Sequence, residues 1–287
     1  MSTVAFDVQR FDNPVDFAAL TRSSLLEHEA ENCFFIGHVP TLSNPTDVHL
    51  YAITGAGGAV AAVALMTPGR HMVMTRAPAE VVVAFARHLH AHGVVPPGAQ
   101  APRDVVDTFA REWQTLTGAV AHSPVGMGIH EATRIILPAR PAAGGMRVGN
   151  AGDRDLLSRW AVEFGHEIGE PHLAEEGRAI TERRIAKGQL VIWADGGEPV
   201  AMAGSAGATP NGIRINAVYT PPPFRNRGYA TTLVASLSQQ LLDAGRHFCF
   251  LYTDLANPTS NKIYRSIGYE PIAQSVRVEF DRAATAR

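Results

Sequence analysis

The sequence predicts an α/β protein built from two similar units. Residues 48–75 and 190–220 each have the order strand, glycine turn, strand, Pro/Gly turn, strand. A helical pattern follows each triplet, and a short helix and a closing strand come later in each half. Duplication of one α/β unit is our preferred explanation of this repeat. The alternative is two halves that are alike only in pattern.

A segment rich in Pro, Ala and Gly separates the two halves. It reads LPARPAAGGMRV, Leu137–Val148, and it has no apolar period. The length of 287 residues is consistent with two domains. We therefore expect an N-terminal domain at 1–140 and a C-terminal domain at 146–287.

Composition points to a globular protein with an ample core, because 46% of the residues are hydrophobic and 18% are charged. The longest apolar run, Ala59–Met66, is too short to span a bilayer, and the N-terminus lacks the layout of a signal peptide. We expect a cytoplasmic protein with no membrane partner. The formal net charge of −2 argues against broad attraction to nucleic acid.

Two residue types that often carry chemistry are interpreted here as structural. Cys33 and Cys249 have aromatic neighbours and no C-x-x-C spacing, so we expect buried thiols rather than redox or nucleophilic groups. His88 and His92 have the i,i+4 spacing of zinc ligands, but no H-E-x-x-H occurs and no acid or cysteine lies nearby in the sequence. We expect a polar helix face there and no metal.

One stretch of the second half, TPPPFRNRGYATTLV at residues 220–234, has the composition of an anion site. Three prolines end the preceding strand, and the apolar period of a helix begins at Ala230. Arg225, Arg227 and Gly228 therefore fall at a helix N-terminus, where free N–H groups and the helix dipole attract anions. This pattern predicts a phosphate or pyrophosphate site, and a plain strand–helix turn with solvated arginines is the alternative. The equivalent stretch of the first half, RAPAEVVVAF, has no such glycine.

The motif Arg225-x-x-Gly228-x-Ala230 after a strand resembles the acyl-CoA pyrophosphate loop of the GNAT acetyltransferase superfamily, R/Q-x-x-G-x-G/A. Further along the chain, NPTSNKIYRSIGYEP at residues 257–271 resembles the family's next signature, an Asn, a short helix with a Tyr, then Gly-aromatic. Residues 147–280 match the family's element order, and the first half matches in element order only. The chain is similar to a tandem GNAT with a degenerate N-terminal copy.

The resemblance implies two tandem GNAT-like domains, each a mixed, mostly antiparallel sheet flanked by helices. It implies acetyl-CoA as co-substrate. Two splayed strands would expose backbone groups to the pantetheine arm, and the amides at the helix start would hold the pyrophosphate. The residues that it implies for CoA binding are Val218, Tyr219, Thr220, Arg225, Arg227, Gly228, Tyr229, Ala230, Asn257 and Asn261.

In this family an amine attacks the thioester directly and the thiolate leaves. The resemblance implies that Tyr264 is the general acid that protonates the thiolate, and a packed aromatic beside Ile263 and Ile267 is the alternative. Asn257 has a second interpretation as the cap of the short helix.

The general base departs from the family pattern, because the strand before the loop has Arg214 and Asn216 where many family members have a carboxylate. The stretch EFGHEIGEPH supplies other candidates, and we take Glu167 as the catalytic one. This stretch could equally bind a cationic amine or be a solvated polar loop. The candidates are Glu163, His166, Glu167, Glu170 and His172.

The function that these observations predict is transfer of an acetyl or other acyl group from acetyl-CoA to a primary amine of a small molecule or peptide. We expect a monomer or homodimer that binds no nucleic acid. A non-catalytic acyl-CoA-binding or scaffold protein is the main alternative, and a nucleotide-binding module is a third.

Overall fold

The computed structural model describes residues 6–42, 48–169 and 177–281. Contacts divide the chain into two compact units. The first comprises Met1–Ile129, Thr253–Asn257 and Pro271–Arg287, and the second comprises His130–Tyr252 and Pro258–Glu270. This grouping differs from the predicted contiguous domains 1–140 and 146–287, because the last strand packs with the first unit.

The first unit is a mixed sheet with helices on it. Its strand order is β1-β2-β3-β4-β5-β12, in which β4 and β5 are parallel and the other pairs are antiparallel. The strands are β1 Asp7–Phe11, β2 His49–Thr54, β3 Val60–Met66, β4 Met72–Met74, β5 Gly98–Ala101 and β12 Glu270–Phe280. The helices are α1 Pro14–Leu26, α2 Cys33–His38, α3 Ala79–Ala91 and α4 Arg103–Thr117. Strand β6, Ala121–Ala132, leads on to the second unit.

The second unit repeats this plan. Its strand order is β11-β10-β9-β8-β7, antiparallel except for the parallel pair β10–β11. The strands are β7 Gly145–Val148, β8 Leu190–Asp195, β9 Glu198–Ala206, β10 Gly212–Tyr219 and β11 Phe248–Asp254. The helices are α5 Arg154–Glu167, α6 Gly177–Ala186, α7 Tyr229–Asp243 and α8 Pro258–Ser266.

Strand β10 presents residues to both faces of the second sheet, and a register shift between Asn216 and Tyr219 reverses the alternation near its end. Ile213 and Ile215 pack with the buried face of α7, which includes Leu233 and Val234. Tyr219 lies on the opposite face, in a cluster with Trp160 of α5 and with residues of β8 and β9. The apolar period read at 230–244 is therefore the core face of α7, and β10 is placed between two helical layers.

The predicted strand triplets are present in both halves, and so is the helix after each. Both cysteines are buried, and burial raises the pKa of the Cys249 thiol to about 12, which fits a structural thiol. His88 and His92 stack with ring centroids 4.0 Å apart, and the described residues contain no cluster of His, Cys, Asp or Glu that could hold a metal. No helix in the described ranges has the length and apolar character to cross a membrane.

Candidate functional site

Strands β10 and β11 separate part-way along their length. Their parallel pairing runs from Gly212–Phe248 to Arg214–Phe250, whereas β10 continues to Tyr219. A bulge follows, because Asn216 pairs with Gly204 but Tyr219 pairs with Met202, and Ala217 between them has a φ of 49°. The backbone of β10 after Arg214 is therefore open on the side of β11.

The open strand leads into the predicted phosphate loop. Pro222–Phe224 form a 3-10 turn, residues 225–228 are exposed, and α7 begins at Tyr229. Gly228 precedes the helix with a φ of 79°, a conformation that favours glycine. The first N–H groups of α7 have no helical acceptor and face the loop, as an anion site requires.

The Pro/Ala/Gly segment before β7 lies beside this helix start, which the sequence analysis did not predict. The Ala142 N–H donates to the Thr232 hydroxyl at 2.9 Å, and the Ala143 carbonyl accepts from the Trp193 indole at 2.7 Å. A Cβ built on Gly228 would lie 4.0 Å from that of Ala142. The segment that separates the two halves in the sequence is thus anchored in the second unit next to the loop.

Arg225 joins the loop to α5. Its guanidinium forms an ion pair with Glu167, its Nε donates to the Thr220 carbonyl at 2.9 Å, and its Cζ lies 5.9 Å from the Tyr219 ring centroid. The hydrogen bond to Glu167 raises the pKa of Arg225. Arg227 lies with its Cζ 6.0 Å from the Phe224 ring. Two predicted site residues from distant parts of the sequence, Arg225 and Glu167, are therefore in contact.

Tyr219 and Glu163 form a second contact between β10 and α5. The Tyr219 hydroxyl donates to Glu163 Oε2 at 2.9 Å, and its ring lies 6.3 Å from that of Trp160. Burial raises the pKa of Tyr219 to about 12, and the Glu163 hydrogen bond adds to the shift. The phenol is therefore protonated at neutral pH and holds the Glu163 carboxylate in place.

A cavity of about 690 Å³ opens between α5 and the loop. It brings residues of the stretch EFGHEIGEPH together with the three prolines that follow β10. Its lining is mixed, with aromatic rings, prolines, three carboxylates and one imidazole. The lining residues are Leu156, Arg159, Trp160, Glu163, His166, Glu167, Glu198, Pro199, Tyr219, Pro221, Pro222, Pro223 and Phe224. Glu170 and His172, the remaining candidates, lie outside the described residues.

Tyr264 is half-buried on α8 and packs against the core of the second unit, with its ring 6.0 Å from that of Tyr269. Burial raises the pKa of Tyr264 to about 12. Asn261 lies one turn earlier on the same helix. Asn257 directly precedes α8, and its N–H donates to the Asp254 carbonyl at 3.0 Å.

Comparison with known proteins gives a match to a family model and matches to solved structures. The model of the family described as FR47-like protein matches residues 194–278. An acetyltransferase of the GNAT family from Colwellia psychrerythraea is 12% identical with a TM-score of 0.64, covering 96% of this chain and 100% of its own. A GCN5-related N-acetyltransferase from Sphaerobacter thermophilus is 16% identical with a TM-score of 0.64, covering 95% and 94%. No curated protein matches the chain by sequence.

A tandem GNAT protein from the clavulanic acid biosynthesis pathway decides the architecture, because it matches over 99% of this chain and 100% of its own at a TM-score of 0.60 and 12% identity. The chain has the tandem GNAT fold. The resemblance read from Arg225, Gly228 and Ala230, and the predicted fold class, are confirmed.

Most of the residues predicted for CoA binding are neighbours along this part of the chain. Val218 and Tyr219 end β10, Thr220 follows it, and Arg225–Ala230 form the loop and the start of α7. The face of β10 toward α5 and α6 offers Arg214 and Asn216 and no acid, as the sequence indicated. Arg184 of α6, which the sequence analysis did not single out, lies against Asn216. The sequence around Arg184 is polar and shows no pattern that would predict this contact.

Proposed function

We propose that the protein is an N-acyltransferase that moves an acetyl group from acetyl-CoA to a primary amine of a small molecule or peptide. One observation carries this proposal: an open strand edge at β10 runs directly into a glycine loop at the N-terminus of α7. The open edge offers backbone hydrogen bonds to an extended arm, and the loop offers free N–H groups to a pyrophosphate. Acyl-CoA combines these two chemical features.

The proposed cofactor contacts follow from this geometry. The amides of Arg227 to Ala230 hold the pyrophosphate, and Arg225 adds a charge-assisted contact to it. Val218, Tyr219 and Thr220 present backbone groups to the pantetheine arm. Asn257 and Asn261 remain proposed contacts at the side of α8.

The transfer step is a direct displacement at the thioester. The amine nitrogen forms a bond to the carbonyl carbon, a backbone N–H stabilises the oxyanion, and the C–S bond then breaks. The amine gives up one proton, and the sulfur takes one. We propose that Tyr264 donates the proton to the sulfur, since burial keeps its phenol protonated at neutral pH.

The cavity beside α5 is our candidate for the acceptor site. Three carboxylates, Glu163, Glu167 and Glu198, outnumber one guanidinium, Arg159, on its wall, and this negative balance suits an approaching ammonium group. Glu167 is the proposed base, and its ion pair with Arg225 couples it to the loop. A pyrophosphate that takes over Arg225 would release the Glu167 carboxylate, so we expect acetyl-CoA to bind before the amine.

The test is a panel of amines incubated with acetyl-CoA and the protein, with free thiol measured against controls that lack amine. A transferase releases thiol only when an accepted amine is present. Calorimetry with acetyl-CoA on the same preparation separates the alternatives. Binding without amine-dependent thiol release across the panel supports the acyl-CoA-binding protein, and equal affinity for ATP supports the nucleotide-binding module.

A further inference from the structure

Two arginine side chains lie close enough for their charges to interact, near the point where β10 and β11 separate. Arg214 is the last residue of β10 that pairs with β11, and Arg184 reaches the same region from α6. The Arg184 Nη2 group donates to the Asn216 side-chain oxygen, two residues further along β10. Since residues 214 and 216 lie on the same face of the strand, both guanidinium groups face the layer of α5 and α6.

These two cations have no acidic partner in the described part of the chain. Ion pairs there involve other arginines, and the Nε atoms of Arg184 and Arg214 are buried without a hydrogen-bond partner. Burial lowers the pKa of Arg184 to about 10, and the charge of Arg214 contributes to the shift. Two desolvated like charges side by side are costly unless an anion completes the site.

A glycine in β9 makes room for this arrangement. Gly204 pairs with Asn216 in the sheet, and a methyl group on it would overlap the Arg184 Nη2 atom. The same methyl would lie 3.0 Å from the Asn216 oxygen. A side chain at position 204 would therefore push the guanidinium away from its present place.

The position of the arginines separates them from the phosphate loop. Arg214 begins the open stretch of β10, and the loop follows the end of this strand at Thr220. Arg214 pairs with Ala206 and Tyr219 with Met202, so this part of β10 spans the length of four residues of β9, about 13 Å. An anion at Arg184 and Arg214 is therefore distinct from a pyrophosphate at Gly228, and the arm between them is the part of acyl-CoA that carries no charge.

We propose that Arg184 and Arg214 bind an oxyanion of the acceptor, so that the acceptor is an amine that also carries a carboxylate or a phosphate. This inference rests on the proposed function and narrows its substrate class. Two planar guanidinium groups match the oxygens of either anion. The acceptor's negative charge would lie at the strand fork, and its amine would reach along β10 to the cavity at Tyr219, about 13 Å away.

The first test compares matched amines that differ only in charge. Short peptides are paired with their C-terminal carboxamides, and long-chain ω-aminoalkyl phosphates with the corresponding amino alcohols, so that the charge is remote from the amine. We expect the charged member of the carboxylate pairs or of the phosphate pairs to have a kcat/KM at least about tenfold higher. The pair that shows the preference identifies the anion. Equal kcat/KM for both members of every pair, or a preference for the neutral ones, would overturn the proposal.

Variants locate this preference in the structure. Arg184→Gln and Arg214→Gln should each abolish most of the preference for the anionic member. Arg183→Gln is the matched control, because Arg183 is the exposed neighbour on the same helix. Gly204→Ala should weaken the preference while keeping both charges. A preference that survives in both arginine variants would show that the anion binds elsewhere.

A binding test keeps this inference separate from the transfer reaction. The melting temperature is measured with N-acetylglycine and with neutral N-acetylglycinamide, without acetyl-CoA. We expect only the carboxylate to stabilise the wild type and Arg183→Gln, and neither ligand to stabilise Arg184→Gln. This shift without any amine acetylation would support the anion site and contradict the transferase. Acetylation with no charge preference and no shift would contradict the anion site alone.

Discussion

Tyr264 is the residue whose chemistry the proposed reaction needs most. Its hydroxyl is held in the protonated form by burial, and its ring packs beside Tyr269 on the core of the second unit. The ring and the hydroxyl therefore have separable roles. The ring stabilises α8 against the core, and the hydroxyl is the proton source that we propose for the leaving thiolate.

Replacement of Tyr264 by Phe separates these roles. Because the ring stays, the melting temperature and the dissociation constant for acetyl-CoA should change little. The kcat should fall by about 10²–10⁴-fold, since a positioned general acid contributes about that much. Steady-state kinetics and calorimetry measure the two effects, and Tyr51→Phe in the first unit is a control for loss of a buried phenol hydroxyl. A kcat within a few-fold of wild type would assign Tyr264 to the core alone.

Asp153 is a residue whose predicted effect is on stability and pH. Its carboxylate accepts both Arg147 N–H groups, at 2.6 and 2.7 Å, and the Asn150 N–H at 2.9 Å. The hydrogen bonds from Arg147 hold the pKa of Asp153 below its ordinary value. A depressed pKa means that this stabilisation is present above the unfolded-state pKa, about 3.9, and is lost as the pH falls through the folded-state pKa.

We predict that Asp153→Asn lowers the free energy of unfolding by about 1–3 kcal/mol at pH 7, because charged hydrogen bonds are removed. The difference from wild type should shrink as the pH falls below about 4, where the unfolded chain takes up a proton on Asp153, and should be lost below the lowered folded-state pKa. Denaturant unfolding at pH 7 and pH 3 measures both values. A difference that is the same at both pH values would contradict the role of the Asp153 charge.

At the scale of elements, the loop between β10 and α7 has a backbone that only a few residues tolerate. Asn226 and Gly228 have φ values of 63° and 79°, and both precede the first turn of α7. This pair of left-handed residues turns the chain between the end of β10 and the start of α7. The loop geometry, rather than any one side chain, is what we propose to bind the pyrophosphate.

Gly228→Ala tests this loop. The left-handed conformation should cost about 1–2 kcal/mol of stability, and the methyl group meets only Ala142 at 4.0 Å, so the fold should persist. The affinity for acetyl-CoA should fall, because the methyl group occupies the approach to the loop amides. Gly57→Ala is the matched control, with a φ of 86° and open space around it in the first unit. Equal acetyl-CoA affinity in the two variants would contradict the loop assignment.

The elements themselves were largely predictable from the sequence. Glycine turns between alternating apolar runs indicated β2–β4 and β8–β10, and the apolar period from Ala230 indicated α7. The loop was predictable because its prolines, arginines and glycine are contiguous. Local patterns determine such features, so a single stretch of sequence carries the information.

The contacts between distant stretches were not predictable in this way. Tyr219 with Glu163, Arg225 with Glu167, and Arg184 with Asn216 join residues from 32 to 58 positions apart. Each depends on how α5 and α6 pack on the sheet, which no local period specifies. Proposed roles for Glu163 and Glu167 came only from their place in a polar stretch.

At the scale of the whole molecule, the two units have the same strand order but differ in the loop that precedes the helix after the strand triplet. The first unit enters α3 from Pro78 in an extended conformation, without the left-handed glycine that precedes α7. The assignment of β12 to the first unit was not predictable, because the apolar pattern of a closing strand does not depend on which sheet it joins. The proposal of a degenerate N-terminal copy rests on the missing loop.

This asymmetry predicts that one molecule of acetyl-CoA binds per chain. Calorimetric titration should give a stoichiometry near one, because α7 begins after a left-handed glycine whereas the corresponding helix α3 of the first unit begins after Pro78. Gly228→Ala should remove most of the measured heat. A stoichiometry near two, or full binding by this variant, would mean that the first unit also has a working site.

The central claim is that the second unit transfers an acetyl group from acetyl-CoA to an amine. The most direct measurement is the mass of the amine after incubation with acetyl-CoA and the protein, together with the amount of free thiol. We predict an amine carrying one acetyl group and an equal amount of thiol, with both strongly reduced in Tyr264→Phe. Unmodified amines across a broad panel, with acetyl-CoA bound but intact, would contradict the claim.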